Sequence, residues 1–238
     1  MLVSINFKDI PPGPFRSRGY LIELVTPAIL QDSLDYIEKE YTDRELLEAA
    51  VDFAQYALQE TPSAEWGSLA RLGFFPWSES TWEFDTALVN ALSARYKSTY
   101  DHLRRALELP VVAAFFMSSQ STPADAREWF GSRSQTPFFS RAIKQLLRTH
   151  RWSYIASASD WPNSLQDLYW MLSDIVHVRG REGSHHQVQP SHTVVSGHHL
   201  LKYDREALKR NLDTFIAVVR QVAVVVVLTN LFSLLDYQ

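Results

Sequence analysis

Phe215-Ile-Ala-Val-Val-Arg-Gln-Val-Ala-Val-Val-Val-Val-Leu-Thr-Asn-Leu-Phe-Ser-Leu-Leu235 is the stretch on which the fold turns. It approaches the ~20 apolar residues of a bilayer span. The central helix of a soluble helical protein, apolar almost all round, has the same one-dimensional pattern. Arg220, Gln221, Thr229, Asn230 and Ser233 interrupt the run, and the core-helix reading is the one adopted. The start of the chain, MLVSINFKDIPPGPF, lacks a basic segment followed by a continuous apolar one, so no secretory signal is read there. The expectation is a cytoplasmic protein without membrane association.

Working outward from that helix, helix-start signals recur along the chain. Thr42-Asp-Arg-Glu45, Ser80-Thr-Trp-Glu83 and Asn163-Ser-Leu-Gln166 fit the capping box, in which a hydroxyl or amide side chain accepts from the N3 amide and the N3 side chain reaches back. Thr122-Pro123 and Thr136-Pro137 place a capping hydroxyl before a proline at the first helical position, where a missing N–H costs nothing. These starts and the apolar periodicity predict helices over residues 22–40, 43–59, 82–119, 123–130, 137–149, 163–179 and 204–236, with a bend or break just before Pro110. Pro11, Pro12, Gly13 and Pro14 predict an extended arm over the first twenty residues, and Trp66, Gly73, Phe74, Phe75, Pro76 and Trp77 an aromatic connection packed over the helices. The helical pattern fails between Gly180 and Tyr203. Short β-prone runs at Thr193–Val195 and Leu200–Tyr203 flank Ser196-Gly197 there, which predicts a small hairpin. The fold class expected is all-α, an up-and-down helical bundle with an N-terminal helical extension and a β-hairpin excursion near residues 186–203. Residues 1–80 would pack on a bundle domain of residues 81–238 as one compact unit.

Composition narrows the chemistry. With 46% hydrophobic and 21% charged residues the 238-residue chain can bury a sizeable core, which excludes disordered and disulfide-stapled classes. Zero cysteines exclude thiolate metal sites, cysteine nucleophiles and disulfides. The net charge of −4 argues against non-specific coating of nucleic acid but permits a local basic site.

Six of the eight histidines fall within the 23 residues from His177 to His199. Neutral imidazole with a carboxylate suits a divalent ion, which makes His185, His186, His198 and Glu182 the candidate metal ligands. No diagnostic ligand spacing is present, and a histidine-rich polar loop fits the same residues. The expected cofactor set is therefore empty apart from that candidate divalent metal. His177 has a better-defined setting. Tyr169, Ser173 and His177 recur every four residues beside the apolar stripe Leu165, Leu168, Leu172 and Ile175, and Asp174, three residues before His177, is placed to hold one ring nitrogen. A helix-end histidine favoured by the helix dipole is the alternative. Arg95 and His102 lie seven residues apart on one predicted helix face, and Arg181/His186 and Arg179/His185 lie in the loop. An arginine on a phosphate beside a proton-moving histidine is the minimum for metal-independent RNA cleavage. Arg104 and Arg105 are placed to pair with Glu108. The aromatic residues at 129, 130, 138, 139, 152 and 161 read as packing residues rather than a base-stacking platform.

Tyr100-Asp-His-Leu-Arg-Arg-Ala-Leu-Glu-Leu-Pro-Val-Val-Ala-Ala-Phe-Phe116, Trp129-Phe130 and Tyr169-Trp-Met-Leu-Ser-Asp-Ile-Val-His177 together resemble a group of uncharacterised bacterial helical proteins with a Tyr-x-x-Leu-Ser-x-x-Val-His element. Those in turn resemble degenerate members of the HEPN superfamily. The resemblance covers residues 80–236. It implies a bundle of four or five helices, a homodimer, RNA or nucleotide binding, and a place in toxin–antitoxin or phage-defence systems. Active members carry Arg-x4–6-His at the start of a late helix; here Met171, Leu172 and Ser173 stand where that arginine would fall. By the same resemblance Ser173 and His177 are the positions expected to matter most, with Arg95, His102, Arg181 and His186 as the remaining catalytic candidates. The function expected is an RNA- or nucleotide-binding HEPN-like bundle or a weak metal-independent ribonuclease. A non-catalytic bundle that binds a protein partner and a histidine-ligated metal protein are the alternatives.

Overall fold

A computed structural model describes residues 27–57, 68–134, 139–179, 188–189, 191–193 and 199–235. Among them the helices run α1 Pro27–Lys39, α2 Arg44–Asp52 continued by a π-helical turn Phe53–Ala57, α3 Ser68–Leu92, α4 Tyr96–Met117, α5 Pro123–Phe130, α6 Phe139–Leu146, α7 His150–Ala158, α8 Trp161–Val176 and α9 Arg205–Leu235. The all-α class holds. Strands β1 (Ser191–Thr193) and β2 (His199–Leu201) pair antiparallel, Ser191 with Leu201, His192 with Leu200 and Thr193 with His199. The predicted N-terminal arm, Trp66, the Thr136-Pro137 start and the Ser196-Gly197 turn lie outside the described residues.

The central element is α4, which packs against α3, α9, α8 and α6. Its buried residues lie on every side: Tyr96, Leu103 and Leu107 share one stripe, and the four consecutive residues Val111 to Ala114, which point round the helix, are all buried. Full burial of a leucine such as Leu103 or Leu107, each 0% exposed, contributes about 1.5–3 kcal/mol. The apolar run of residues 215–229 lies on α9, where Phe215, Val218, Val219, Val222 and Val225 are buried in the same core, and α9 packs on α4, α3 and α2. The window Arg205–Thr229 is long and apolar enough to cross a membrane, and 56% of it is buried inside the protein.

Pro110 does not break α4. A proline at 110 supplies no N–H to the carbonyl four residues back, and a buried carbonyl needs a donor. Ser80 of α3 provides it: its hydroxyl, 0% exposed, donates to the Ala106 carbonyl at 2.9 Å. The sequence-based expectation of a capping box at Ser80 is thereby corrected. Ser80 sits inside α3, and its hydroxyl satisfies a neighbouring helix rather than its own. The same helix runs through the expected boundary at residue 80, so the aromatic connection is helical from Ser68 on. Its Phe75 does pack outward, edge-on to Phe130 with centroids 5.4 Å apart.

The expected helix 82–119 is broken elsewhere, between α3 and α4. Ala94 adopts φ +55°, and Arg95 N–H donates to the Asn90 carbonyl at 2.8 Å, closing α3 with a residue in the left-handed region. Two distant side chains hold this turn. Ser33 of α1 donates to the Leu92 carbonyl at 2.9 Å, and the Gln189 amide donates to the Ala94 carbonyl at 2.6 Å while its oxygen accepts from the Lys97 amide at 3.2 Å. Of the remaining starts, Thr122 forms a full capping box with Asp125. Asp43 rather than Thr42 stands at the N-cap of α2, and Asp160 rather than Asn163 at that of α8.

Candidate nucleic-acid interface

Between Trp129 and Ser159 the chain holds five Lys+Arg (Arg133, Arg141, Lys144, Arg148 and Arg151), His150, and no Asp or Glu. The rest of the sequence carries 18 Lys+Arg against 27 Asp+Glu. The amphipathicity of α6 puts this charge on one face. Phe139, Ala142, Ile143 and Leu146 recur at helical spacing and are buried against α4, so Arg141 and Lys144 are driven outward, and Arg148, in the turn after α6, is exposed as well. Arg141 and Lys144 are three residues apart on α6, which is about 4.5 Å of helical rise. Among the described residues none of Arg141, Lys144 and Arg148 is within ion-pair distance of a carboxylate; Arg148 reaches only the Gln145 side-chain oxygen, at 3.1 Å.

The turn into α7 is tight. Thr149 donates its hydroxyl to the Leu146 carbonyl at 2.7 Å, and its own carbonyl accepts from the Ser153 amide at 3.0 Å. Trp152, 2% exposed, anchors α7 inward beside Trp161 of α8, with ring centroids 5.6 Å apart. That anchoring leaves Tyr154 on the outer face, 65% exposed. His150, Arg151, Tyr154, Ile155 and Leu228 line a cleft of about 380 Å³. A row of cations beside an exposed aromatic ring is the pairing that holds single-stranded nucleic acid, charge for the phosphates and a π-face for a base. The sequence reading weighed the aromatics at 129, 130, 138, 139, 152 and 161 together, as packing residues, and the charge over the whole chain; a charge count over the local window finds the basic run among them.

Among the described residues, Arg95, His102, Ser173 and His177 make no side-chain hydrogen bond or ion pair with one another. Arg95 is an exposed residue at the N-cap of α4 and makes no side-chain cap bond. His102, seven residues on, is turned toward α3, where its Nδ1 lies 2.6 Å from Glu83 Oε2. Arg105 Nη2 is 3.1 Å from the same ring nitrogen and 3.0 Å from Asp101 Oδ2. Nδ1 cannot receive Arg105 while donating to Glu83, and the shorter contact to a carboxylate decides the tautomer: Nδ1–H donates to Glu83. The half-buried cluster Glu83, His102, Arg105 and Asp101 is thus an ion-pair brace between α3 and α4, with Arg105 in the place expected of Arg95. Arg105 pairs with Asp101 and Glu83 rather than with Glu108. Burial pushes the Glu108 carboxyl up, and Arg104 draws it part of the way back.

Ser173 is buried in α8 at 5% exposure. His177 is the exposed C-cap of that helix, its amide bonded to the Ser173 carbonyl at 2.9 Å. Asp174 does not hold its ring; that carboxylate faces Arg179, 3.6 Å away. The helix-end reading of His177 is the one the geometry matches. Arg181, Glu182, His185, His186 and His198 lie outside the described residues, and among the described residues no group of three or more His, Asp or Glu could hold a metal ion. Comparison of the chain with protein-family models, with curated proteins and with solved structures finds no match.

Proposed function

We propose that this chain is an RNA-binding helical bundle, HEPN-like in architecture, whose α6–α7 face holds single-stranded RNA by its phosphates and stacks one base on Tyr154. The carboxylate-free run of residues 129–159 carries the reading, because a chain with a net charge of −4 places five Lys+Arg and no Asp or Glu there. The function is binding rather than cleavage: His102 is committed to Glu83, and His177 stands at a helix end with no arginine or carboxylate bonded to its ring among the described residues. Metal-free incubation with RNA is expected to leave the RNA intact.

The test is fluorescence anisotropy of a labelled single-stranded RNA of about fifteen nucleotides against the full chain, with the R141E/K144E/R148E variant beside it. Three phosphate contacts give a slope of about −2 for log K against log salt, hence an affinity loss of about twentyfold between 50 and 200 mM salt. The triple variant is expected to bind at least tenfold more weakly and with a nearly flat slope. Equal binding by the variant overturns the reading, as does preferential binding of the wild type to anionic phosphatidylserine vesicles.

A second reading, a docking face for a protein partner, is favoured by Phe75, Trp82 and Val89. These lie at intervals of seven on α3 and are 41, 69 and 61% exposed. Glu79 and Asp85 flank Trp82 on that helix, so the complementary partner is an amphipathic helix with basic flanks. Trp82→Ala abolishing capture of such a peptide, with RNA binding intact, would establish it beside the first.

A further inference from the structure

A second cleft, of about 500 Å³, opens between α4, α8 and α9 and is lined by Tyr100, Met171, Ile175, Val188, Arg210, Asp213 and Thr214. Its size falls in the range of small-molecule sites, about 300–1,000 Å³. Its polar groups are divided in a definite way. Asp213 is committed: one oxygen accepts from the Tyr41 hydroxyl at 2.8 Å and the other from Lys209 at 2.6 Å. Arg210, three residues earlier on α9, has no carboxylate within ion-pair distance among the described residues. Because Lys209, outside the cleft lining, pairs with Asp213, the Arg210 charge in the lining is not offset by that carboxylate.

Tyr100, 6% exposed, stands in the cleft wall with Arg210 and Thr214. The Thr214 hydroxyl donates to the Arg210 carbonyl at 2.7 Å. Burial raises the Tyr100 hydroxyl above its ordinary range, which keeps it neutral. A guanidinium with five N–H groups retains donors for a planar or tetrahedral oxyanion. The opposite wall, Met171, Ile175 and Val188, is apolar.

We infer that this cleft binds a small organic anion, its acid group on Arg210 and its apolar body against Met171, Ile175 and Val188. The site is independent of the α6–α7 face and of the RNA reading. A carboxylate and a phosphate monoester share the chemistry required, and the probes separate them. Isothermal titration of the full chain with indole-3-acetate, adenosine monophosphate and adenosine is expected to show one or both anions binding with Kd below about 1 mM and neutral adenosine at least tenfold more weakly. Binding of the indole acid alone assigns a carboxylate, and of the nucleotide alone a phosphate monoester. Arg210→Met is expected to weaken the bound anion at least tenfold, and Arg220→Met, an exposed position on the same helix, to leave it unchanged. Since Arg210 is itself exposed, its replacement leaves the core intact, and an unchanged melting temperature confirms this. The inference is overturned if neither anion binds, if adenosine binds as tightly as its monophosphate and the indole acid does not bind, or if Arg210→Met binds like the wild type.

Discussion

The Ser80–Ala106 hydrogen bond across α3 and α4 gives the sharpest test of how this fold tolerates Pro110. Removing the hydroxyl (Ser80→Ala) leaves the Ala106 carbonyl buried, with neither an intrahelical N–H nor a side-chain donor. An orphaned buried acceptor of this kind costs about 1–3 kcal/mol. At about 2–4 °C per kcal/mol for a chain of this size, the expected fall in Tm is about 2–12 °C. The cause is isolated by a double-mutant cycle. Pro110→Ala restores the amide that donates to Ala106, so Ser80→Ala should cost little in that background, with a coupling of about 1 kcal/mol or more. Urea unfolding of the four proteins at equal slope measures it. A strictly additive cycle, with Ser80→Ala equally harmful in both backgrounds, would refute the idea that the serine compensates the proline.

Further outcomes follow from the same geometry. Tyr154→Ala should weaken single-stranded RNA by about 1–3 kcal/mol if a base stacks on the ring, while Tyr154→Phe, which keeps the π-face, should bind almost as the wild type in the same anisotropy titration. Glu108→Gln should stabilise the protein at neutral pH. Burial holds that carboxyl above its ordinary 4.5, so the neutral form is favoured on folding. The wild type therefore loses stability as pH rises from the ordinary value through the raised one, and the gain from glutamine should vanish at about pH 4 in a pH series of melting temperatures. Thr122→Ala removes the acceptor of the Asp125 amide and one half of the capping box; a loss of about 1 kcal/mol in urea unfolding is expected.

Much of the helical layout was legible, and the failures share a cause. Helix α5 begins where Thr122-Pro123 says it does, because proline and a capping box are local signals that act within one turn. The break between α3 and α4 was not legible. No glycine or proline stands at 93–95, and the left-handed Ala94 is held by Gln189 and, through Leu92, by Ser33, residues tens of positions away. Pro110 failed in the opposite direction: a local helix breaker was overridden by a donor from another helix. In each case a tertiary hydrogen bond decides the backbone, and only the three-dimensional neighbour reveals it. The missed helix α7 has a third cause, since Thr149 bonds backward to Leu146 instead of capping forward.

The candidate interface was illegible for a reason of scale. Electrostatic attraction between a protein face and a polyanion is screened over about 8–10 Å at ordinary ionic strength, which is about seven residues of α-helix. A net charge of −4 summed over 238 residues averages over many such lengths, so it carries no information about the potential at α6. Over the window from Arg141 to Arg151 the count is four Lys+Arg and no acid. The buried side of α6 then converts that linear excess into a surface excess, because Phe139, Ala142, Ile143 and Leu146 occupy the inward positions and leave the cations one direction to face. The histidine cluster is the converse case. Six imidazoles in 23 residues draw the eye in one dimension, yet they carry no ligand spacing, and density along the chain by itself implies no convergence in space. Charge read over a screening length and facing read from helical period make a better guide to a binding face than the abundance of any one residue type.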